Sequence, residues 1–282
     1  MNTQTEMTLG SFTKFSTLNH AEQTLVREAW DVAEKAYTPR SHFPVGAAIL
    51  AQNDQGEIRQ LSGCNVENRF FGATICAERN AATTAVAQGY GRFLAVALVL
   101  KHYHGPGSSP CGLCRQVLTE FGTDTVVLQV ADQDSNVLRY TVADLLPAAS
   151  GPSIAYRLLP AKFRRAVKRL NLLRAKVYAP YSKMGRTAAF LASNLAGSER
   201  RFDGITDENA SYGGTAAPEL VAMRSARAAG YLHNVCLVAQ VVDIAQANPI
   251  EGHCLQVLRE FGEQAQILLV DHSGSCRFSS VF

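Results

Sequence analysis

The chain has 282 residues, of which 47% are hydrophobic and 18% charged, with a net charge of +3. This is the composition of a soluble globular protein with room for one large domain or two ordinary ones, and the small net charge gives no reason to expect a polyanionic partner. No apolar run approaches the roughly 18 residues of a membrane helix. The N-terminus, MNTQTEMTLGSFTKFSTLNH, is polar and lacks the apolar core of a secretion signal. Seven cysteines, an odd number, do not suggest a disulfide framework, so a reducing cytoplasm is the expected setting.

In chain order, the segment His20 to Tyr37 has helical periodicity and ends before a tight turn at Pro39. Val45–Ala51 follows as a short strand. Cys76–Gly89 is Ala-rich with apolar spacing and closes on Gly, which predicts a helix. Phe93–Leu100 is an apolar run of strand length. Cys111–Phe121 predicts another helix, opened by Pro110 and closed by Gly122, and Asp124–Ala131 predicts a buried strand. Strands alternating with helices imply an α/β domain whose sheet is covered by helices.

The sequence then repeats itself. YTPRSHFPVGAAIL at 37–50 returns as YAPYSKMGRTAAFL at 178–191, and NVENRFFGATICAERNAATTAVAQGY at 65–90 returns as TDENASYGGTAAPELVAMRSARAAGY at 206–231. QVLTEFG at 116–122 returns as QVLREFG at 256–262, so the offset stays near 140 residues throughout. Two repeats of this length make a tandem domain pair rather than a solenoid. The small-residue and proline-rich stretch LLPAASGPS at 145–153 is the expected linker, giving domains 1–150 and 151–282. The second copy again opens with a helical pattern, Ala161 to Tyr178, before Pro180.

Chemistry concentrates in Cys76-Ala77-Glu78-Arg79 and Pro110-Cys111-Gly-Leu-Cys114. Structural zinc sites close with four protein ligands, whereas catalytic ones keep one position open for water. Three thiols and a carboxylate therefore read as hydrolytic zinc chemistry. Both segments are expected at helix N-termini, whose partial positive charge favours the thiolate. Cys111 and Cys114 share one helical turn, and Cys76 supplies the third ligand. Arg79, one turn along from Cys76, is placed to hydrogen-bond the sulfurs and withdraw charge. Glu78 is the candidate proton carrier. Cys-x-x-Cys alone also fits a redox pair, and Cys64 could make a fourth ligand of a structural knot. His102 and His104 lie near the ligand segment but read as surface loop histidines.

Together, SHFPVGAA, GCNVEN, CAERNA and PCGLCRQ stand in the order and spacing of a family this chain resembles: the zinc-dependent cytidine deaminases that act on free nucleosides. The likeness covers most of residues 25–150. The Cys-Ala-Glu-Arg form looks like the small single-domain, tetrameric branch, while the doubled chain looks like the two-domain, dimeric branch. The resemblance implies two tandem copies of a three-layer α/β/α domain with a mixed sheet. It implies zinc on Cys76, Cys111 and Cys114, and hydrolysis of cytidine and deoxycytidine by attack at C4, with Glu78 as proton shuttle, in pyrimidine salvage. It further implies that Asn65 and Glu67 bind the ribose, Phe43 packs on the pyrimidine, and the Ala77 amide binds the base carbonyl. Family members usually carry a pocket-closing Phe where this chain has Ser150, and Phe278 or Phe282 is a possible substitute. Deamination of cytosine in RNA or DNA, or of another aminated heterocycle, is the alternative within enzymes. A non-catalytic zinc protein that binds nucleosides is the alternative of another class.

In the second copy, Cys76 falls on Ala217, Cys111 on Glu251 and Cys114 on Cys254, and Ala77 becomes Pro218. Glu219 matches Glu78, and Glu208 and Asn209 match Glu67 and Asn68. One thiol of three survives, so the expectation is one zinc per chain and a catalytically dead second domain. A fused dead copy can supply a neighbour that the single-domain branch obtains by assembly, which predicts a homodimer of four domains. Tyr212, matching Phe71, is the candidate to reach a catalytic pocket in another domain. Residues 157–176 carry eight Lys or Arg, and no acid occurs between Asp144 and Glu199. Such a basic amphipathic segment can bind nucleic acid or a membrane surface. Its sparse aromatics and its place as first helix of copy two favour a solvated or interdomain face.

Overall fold

A computed structural model of the chain describes residues 10–101, 109–130, 136–146, 153–241, 250–262, 264–271 and 273–280. His102, His104, Ser150 and Phe282 lie outside the described residues. Two compact units emerge, Met1–Leu146 and Pro147–Phe282, and the division falls inside the proline-rich segment 145–153.

The first unit runs β1 (Ser11–Lys14), α1 (His20–Ala33), β2 (Val45–Gln52), β3 (Ile58–Cys64), α2 (Ala77–Ala87), β4 (Arg92–Leu100), α3 (Gly112–Thr119), β5 (Val126–Val130), β6 (Asn136–Thr141) and α4 (Val142–Leu145). Its six-stranded sheet has the order β1-β6-β5-β4-β2-β3. The sheet is mixed: β4 and β5 pair in parallel, from Ala95 opposite Val126 to Val99 opposite Val130, and the remaining neighbours are antiparallel. A parallel pair needs a crossover, and α3 supplies it.

Helix α1 starts at a capping box, in which Asn19 Oδ1 accepts from the Glu22 amide at 2.9 Å and the Asn19 amide donates to the Glu22 carboxylate at 3.2 Å. It stops at Ala33, short of the expected Tyr37. The Tyr37 amide donates instead to the Asn65 carbonyl at 3.1 Å, drawing the chain into a bridge beside the site.

Alternation along the strands sorts the core into two layers around the sheet. Phe93, Val96, Leu98 and Leu100 of β4 face α2 and α3, packing on Ala77, Ala81, Ala85 and Leu118. Ala95, Ala97 and Val99 face α1, packing on Leu25, Val26 and Ala29. The result is a three-layer α/β/α unit, as the resemblance implied.

The second unit repeats the plan with β7 (Ser153–Ala155), α5 (Ala161–Leu173), β8 (Thr187–Ser193), β9 (Glu199–Ile205), α6 (Pro218–Ala228), β10 (His233–Gln240), α7 (Gly252–Arg259), β11 (Gln266–Val270) and β12 (Ser275–Ser280). Its strand order, β7-β12-β11-β10-β8-β9, is the same permutation with the same single parallel pair, β10 with β11. The basic segment becomes α5, whose Phe163, Ala166, Val167, Leu170 and Leu173 enter the unit's own core. Its cations stay on the other side, where Lys162 pairs with Glu199 at 3.2 Å and Arg169 with Asp203 at 3.0 Å. Phe278 packs edge-on against Phe163, ring centroids 5.5 Å apart, beside the α5 layer of the second unit. Its ring is committed to that core, so the suggestion that Phe278 closes a pocket is set aside.

One glycine pair sets how closely the site helix approaches its sheet. A Cβ added to Gly63 would sit 2.4 Å from the Ala81 amide nitrogen, and one added to Gly204 would sit 2.0 Å from the Pro218 carbonyl oxygen. Helices α2 and α6 therefore lie directly on β3 and β9, at a distance no side chain allows.

Candidate metal and catalytic site

Two helix starts converge on one point in the first unit. Cys76 is the N-cap of α2 and Cys111 the N-cap of α3, and neither helix has a side-chain cap. The first amides of a helix have no intrahelical acceptor, so both ends present N–H groups and positive potential where the sulfurs meet. Cys111 Sγ lies 3.7 Å from Cys76 Sγ and 3.5 Å from Cys114 Sγ. A tetrahedral zinc with bonds of about 2.3 Å holds its sulfurs about 3.8 Å apart, so the three thiols stand at the spacing of one ion's ligands. Among the described residues, no other group of three His, Cys, Asp or Glu side chains converges in this way.

Such crowded thiols share their protons. Hydrogen bonding, first with Cys114 and then with Cys76, brings the Cys111 thiol down to about 2. Cys76 is pushed up to about 11, first by its bond to Cys111, and Cys114 is pushed up chiefly by the same sulfur. Metal ligands bind as thiolates, so a cation arriving here displaces thiol protons.

Glu78 sits in the first turn of α2 and is 5% exposed. Burial pushes its carboxyl up to about 7, with Cys111 adding to the rise and its own backbone amide, Cys114 and Arg79 opposing it. A carboxyl in that range can give and take a proton near neutrality. Arg79 donates to the Thr74 carbonyl at 2.8 Å and reaches Cys76 Sγ at 3.8 Å, so its guanidinium lies against a candidate ligand sulfur. Ala77 is fully buried as the first residue of α2, so its amide is among those without an intrahelical acceptor.

The remaining candidates form the wall beside this centre. Asn65 Oδ1 accepts from the Val45 amide at 2.8 Å, and its Nδ2 donates to the Phe43 carbonyl at 2.9 Å. Glu67 accepts from the Arg40 amide at 2.9 Å and the Ser41 amide at 3.3 Å, and the Ser41 side chain first, with these amides, holds its carboxyl below the usual range. Both residues thus fix the loop that carries Phe43, a half-buried ring packed against the α2 layer. Within that loop His42 has a φ of 53°, an uncommon left-handed conformation for a residue other than glycine, and its counterpart Lys183 has 62°. Tyr212 stands in the 3-10 turn Tyr212–Gly214 of the second unit, 73% exposed, its ring centroid 5.9 Å from that of Tyr181.

Two positioning residues escaped the sequence reading. Arg115 Nε donates to the Pro110 carbonyl at 2.7 Å, while its other nitrogens donate to Ser109 Oγ at 2.6 Å and the Leu145 carbonyl at 3.0 Å. Asn80 Nδ2 donates to the Cys64 carbonyl at 2.9 Å, tying α2 to the end of β3. Cys64 serves through its backbone there. The only signal for Arg115 was its place directly after Cys114.

Comparison with known proteins bears on the same residues. Residues 18–130 match the family model described as the cytidine and deoxycytidylate deaminase zinc-binding region. A cytidine deaminase of Sporosarcina psychrophila is 42% identical over 127 residues, 45% of this chain and 89% of that protein. A blasticidin-S deaminase of Bacillus cereus is 30% identical over 139 residues, 46% of this chain and 94% of that protein. Among solved structures, a cytidine deaminase from Burkholderia pseudomallei is 40% identical, covering 46% of this chain and 98% of that one, with a TM-score of 0.39.

Proposed function

Because this chain belongs to the cytidine deaminase family, we propose that its first unit hydrolyses cytidine and deoxycytidine to uridine and deoxyuridine, releasing ammonia, in pyrimidine salvage. The observation that carries this reading is the trio of sulfurs at 3.5 and 3.7 Å with the buried Glu78 in the adjoining helix turn. Cys76, Cys111 and Cys114 would hold the zinc, which when bound would supply the Lewis acidity that readies a water for attack at neutral pH.

The chain's own residues do the rest. The Ala77 amide donates to the base carbonyl oxygen and sets the ring's depth, while Phe43 stacks against the pyrimidine. Asn65 and Glu67 keep their backbone bonds and still have capacity for the ribose: the carboxylate has lone pairs left, and the carboxamide has a second proton and a second lone pair. Glu78 takes a proton from the attacking water, passes it to N3, and delivers another to the amino nitrogen as the C4–N bond breaks. Water and cytidine are consumed, and uridine and ammonia are formed. Arg79 draws charge from Cys76 and so preserves the acidity of the centre.

The second unit is read as non-catalytic, with one zinc per chain held in the first. Two chains then assemble as a homodimer of four units in the cytoplasm, and Tyr212 reaches toward a catalytic pocket. The test is ultraviolet-monitored turnover of cytidine and deoxycytidine with Glu78→Ala as control. Turnover that survives in Glu78→Ala removes the mechanism, and a sedimentation mass of one 30.5 kDa chain removes the dimer. The 30% identity to a blasticidin-S deaminase favours one second reading, another aminated heterocycle as substrate. Blasticidin S in the same assay decides between them, and single-stranded nucleic acid as substrate covers the polymer alternative.

A further inference from the structure

In the second unit the place of the metal centre is neither empty nor apolar. Glu251, at the position of Cys111, is the N-cap of α7, and Glu219, at the position of Glu78, is in the first turn of α6. Cys254, the surviving thiol, is buried with its sulfur 3.9 Å from Glu219 Oε2. Between these helix starts comes a cation whose counterpart in the first unit is uncharged. Arg186, where the first copy has Val45, extends its guanidinium from the loop just before β8. Its Nη2 lies 2.7 Å from Glu251 Oε1 and its Nη1 lies 3.6 Å from Glu219 Oε1. The Arg186 side chain is 18% exposed, and that of Glu219 is fully buried.

We propose that Arg186 is a tethered cation that replaces the metal ion, making the second unit's α6–α7 corner independent of zinc. The first centre sets a dication against three sulfurs; the second sets a guanidinium between two acids at the same two helix starts. The neighbouring changes agree with the exchange. Arg79, whose partner is a ligand sulfur, becomes Leu220, because no ligand sulfur stands beside it. Arg115, which braces the ligand segment, becomes Leu255. Pro218 removes the amide at Ala77's position, which a substrate carbonyl needs and a guanidinium does not. A guanidinium is always charged and offers five N–H donors in a rigid fork, so it can bridge two carboxyl groups as a metal does, yet it cannot dissociate. Burial of Glu219 beside a permanent cation also accounts for an acid kept in a unit that has no water to activate.

The inference rests on the first unit being the zinc-holding one, and cytidine turnover tests that separately. Its own test is hydrogen exchange on the full-length protein with and without a zinc chelator. Chelation is expected to speed exchange at the starts of α2 and α3 and leave the starts of α6 and α7 unchanged. Loss of protection at α6 and α7 on chelation overturns the proposal, and this arm needs no variant. Arg186→Val should speed exchange at the α6 and α7 starts at least about tenfold, with Arg186→Lys intermediate; a folded Arg186→Val protein with unaltered exchange overturns it. The combined Arg186→Val, Ala217→Cys, Glu251→Cys protein, retaining Cys254, is expected to raise zinc content from one to two equivalents per chain. A folded triple variant that still takes up one equivalent counts against the substitution of one cation for the other.

Discussion

Arg115 Nε donates to the carbonyl oxygen of Pro110 at 2.7 Å, so the residue that follows Cys114 fixes the residue that precedes Cys111. The two candidate ligands at the start of α3 are thereby held from both sides, by helix geometry and by a side-chain brace. Groups that orient metal ligands typically account for 10- to 100-fold in affinity, by a general order-of-magnitude rule. Arg115→Leu, which installs the second unit's residue, is expected to weaken zinc by about that factor while α3 stays helical. Competition against a fluorescent chelator measures it. Arg115→Lys reaches one carbonyl and loses the fork, so it should fall between the two.

Glu78→Gln keeps the volume and hydrogen-bonding shape of the side chain but cannot carry a proton. Turnover should fall by about 10²- to 10⁴-fold, the usual contribution of a positioned acid–base group, with zinc content unchanged. Metal analysis alongside the kinetics separates a lost proton carrier from a lost metal. Zinc loss matching the activity loss would show that Glu78 acts structurally instead.

Asn65 joins Phe43 to Val45 through both ends of its carboxamide. Asn65→Ala strands a partly buried amide and a carbonyl, a cost of about 1–3 kcal/mol per unsatisfied group, and frees the Phe43 loop. The expected kinetic signature is a raised KM together with a lowered melting temperature. A raised KM at unchanged stability would point to ribose contact as the residue's only role. Asn65→Asp retains the acceptor for Val45 and should restore part of the stability.

Glu219 titrates above the ordinary 4.5, with burial raising it and Arg186 the first of the opposing influences. A carboxyl raised in the folded state contributes stability that is fully present below pH 4.5 and is lost as pH rises through the raised value. Glu219→Gln has no proton to lose, so it should gain on the wild type as pH increases from about 4.5. Denaturant unfolding, followed by exchange at α6 across that range, reads the difference. Parallel pH profiles for the two proteins would contradict this account.

Much of the first unit could be read directly. Cys76, Cys111 and Cys114 appear with their spacing, and the helices that Cys76 and Cys111 cap follow from Pro110, Gly89 and Gly122. The buried strands β2, β4 and β5 are apolar runs that periodicity finds, and the repeat carried those assignments into the second unit. Strands β1 and β7 were missed because they are short and mostly exposed, with no apolar alternation to mark them. The end of α1 was missed because Tyr37 is drawn out by a distant carbonyl rather than by a local breaker. Arg186 acts through partners brought close by the fold, and Arg115 joins two local partners to the distant Leu145 carbonyl, so little in the local pattern beyond the place of Arg115 after Cys114 distinguishes either from a solvated arginine. In the sequence Arg186 stands only as part of a degenerate repeat, because the pairing that gives it meaning joins the residue before β8 to the starts of two helices.

The pairing of β1 with β6, Ser11 opposite Arg139, joins the beginning of the first unit to its end, and β7 with β12 does the same in the second. During synthesis neither sheet can be completed until its last strand leaves the ribosome, so each unit passes through a stage with an unpaired edge. Non-local pairing of this kind is slow to form and exposed to aggregation while it waits. The first sheet can close while the second is still being translated, which staggers the two vulnerable periods. A break before Ser275 would leave β11 as a bare, apolar edge open to strands of other chains, whereas the first sheet would already be sealed.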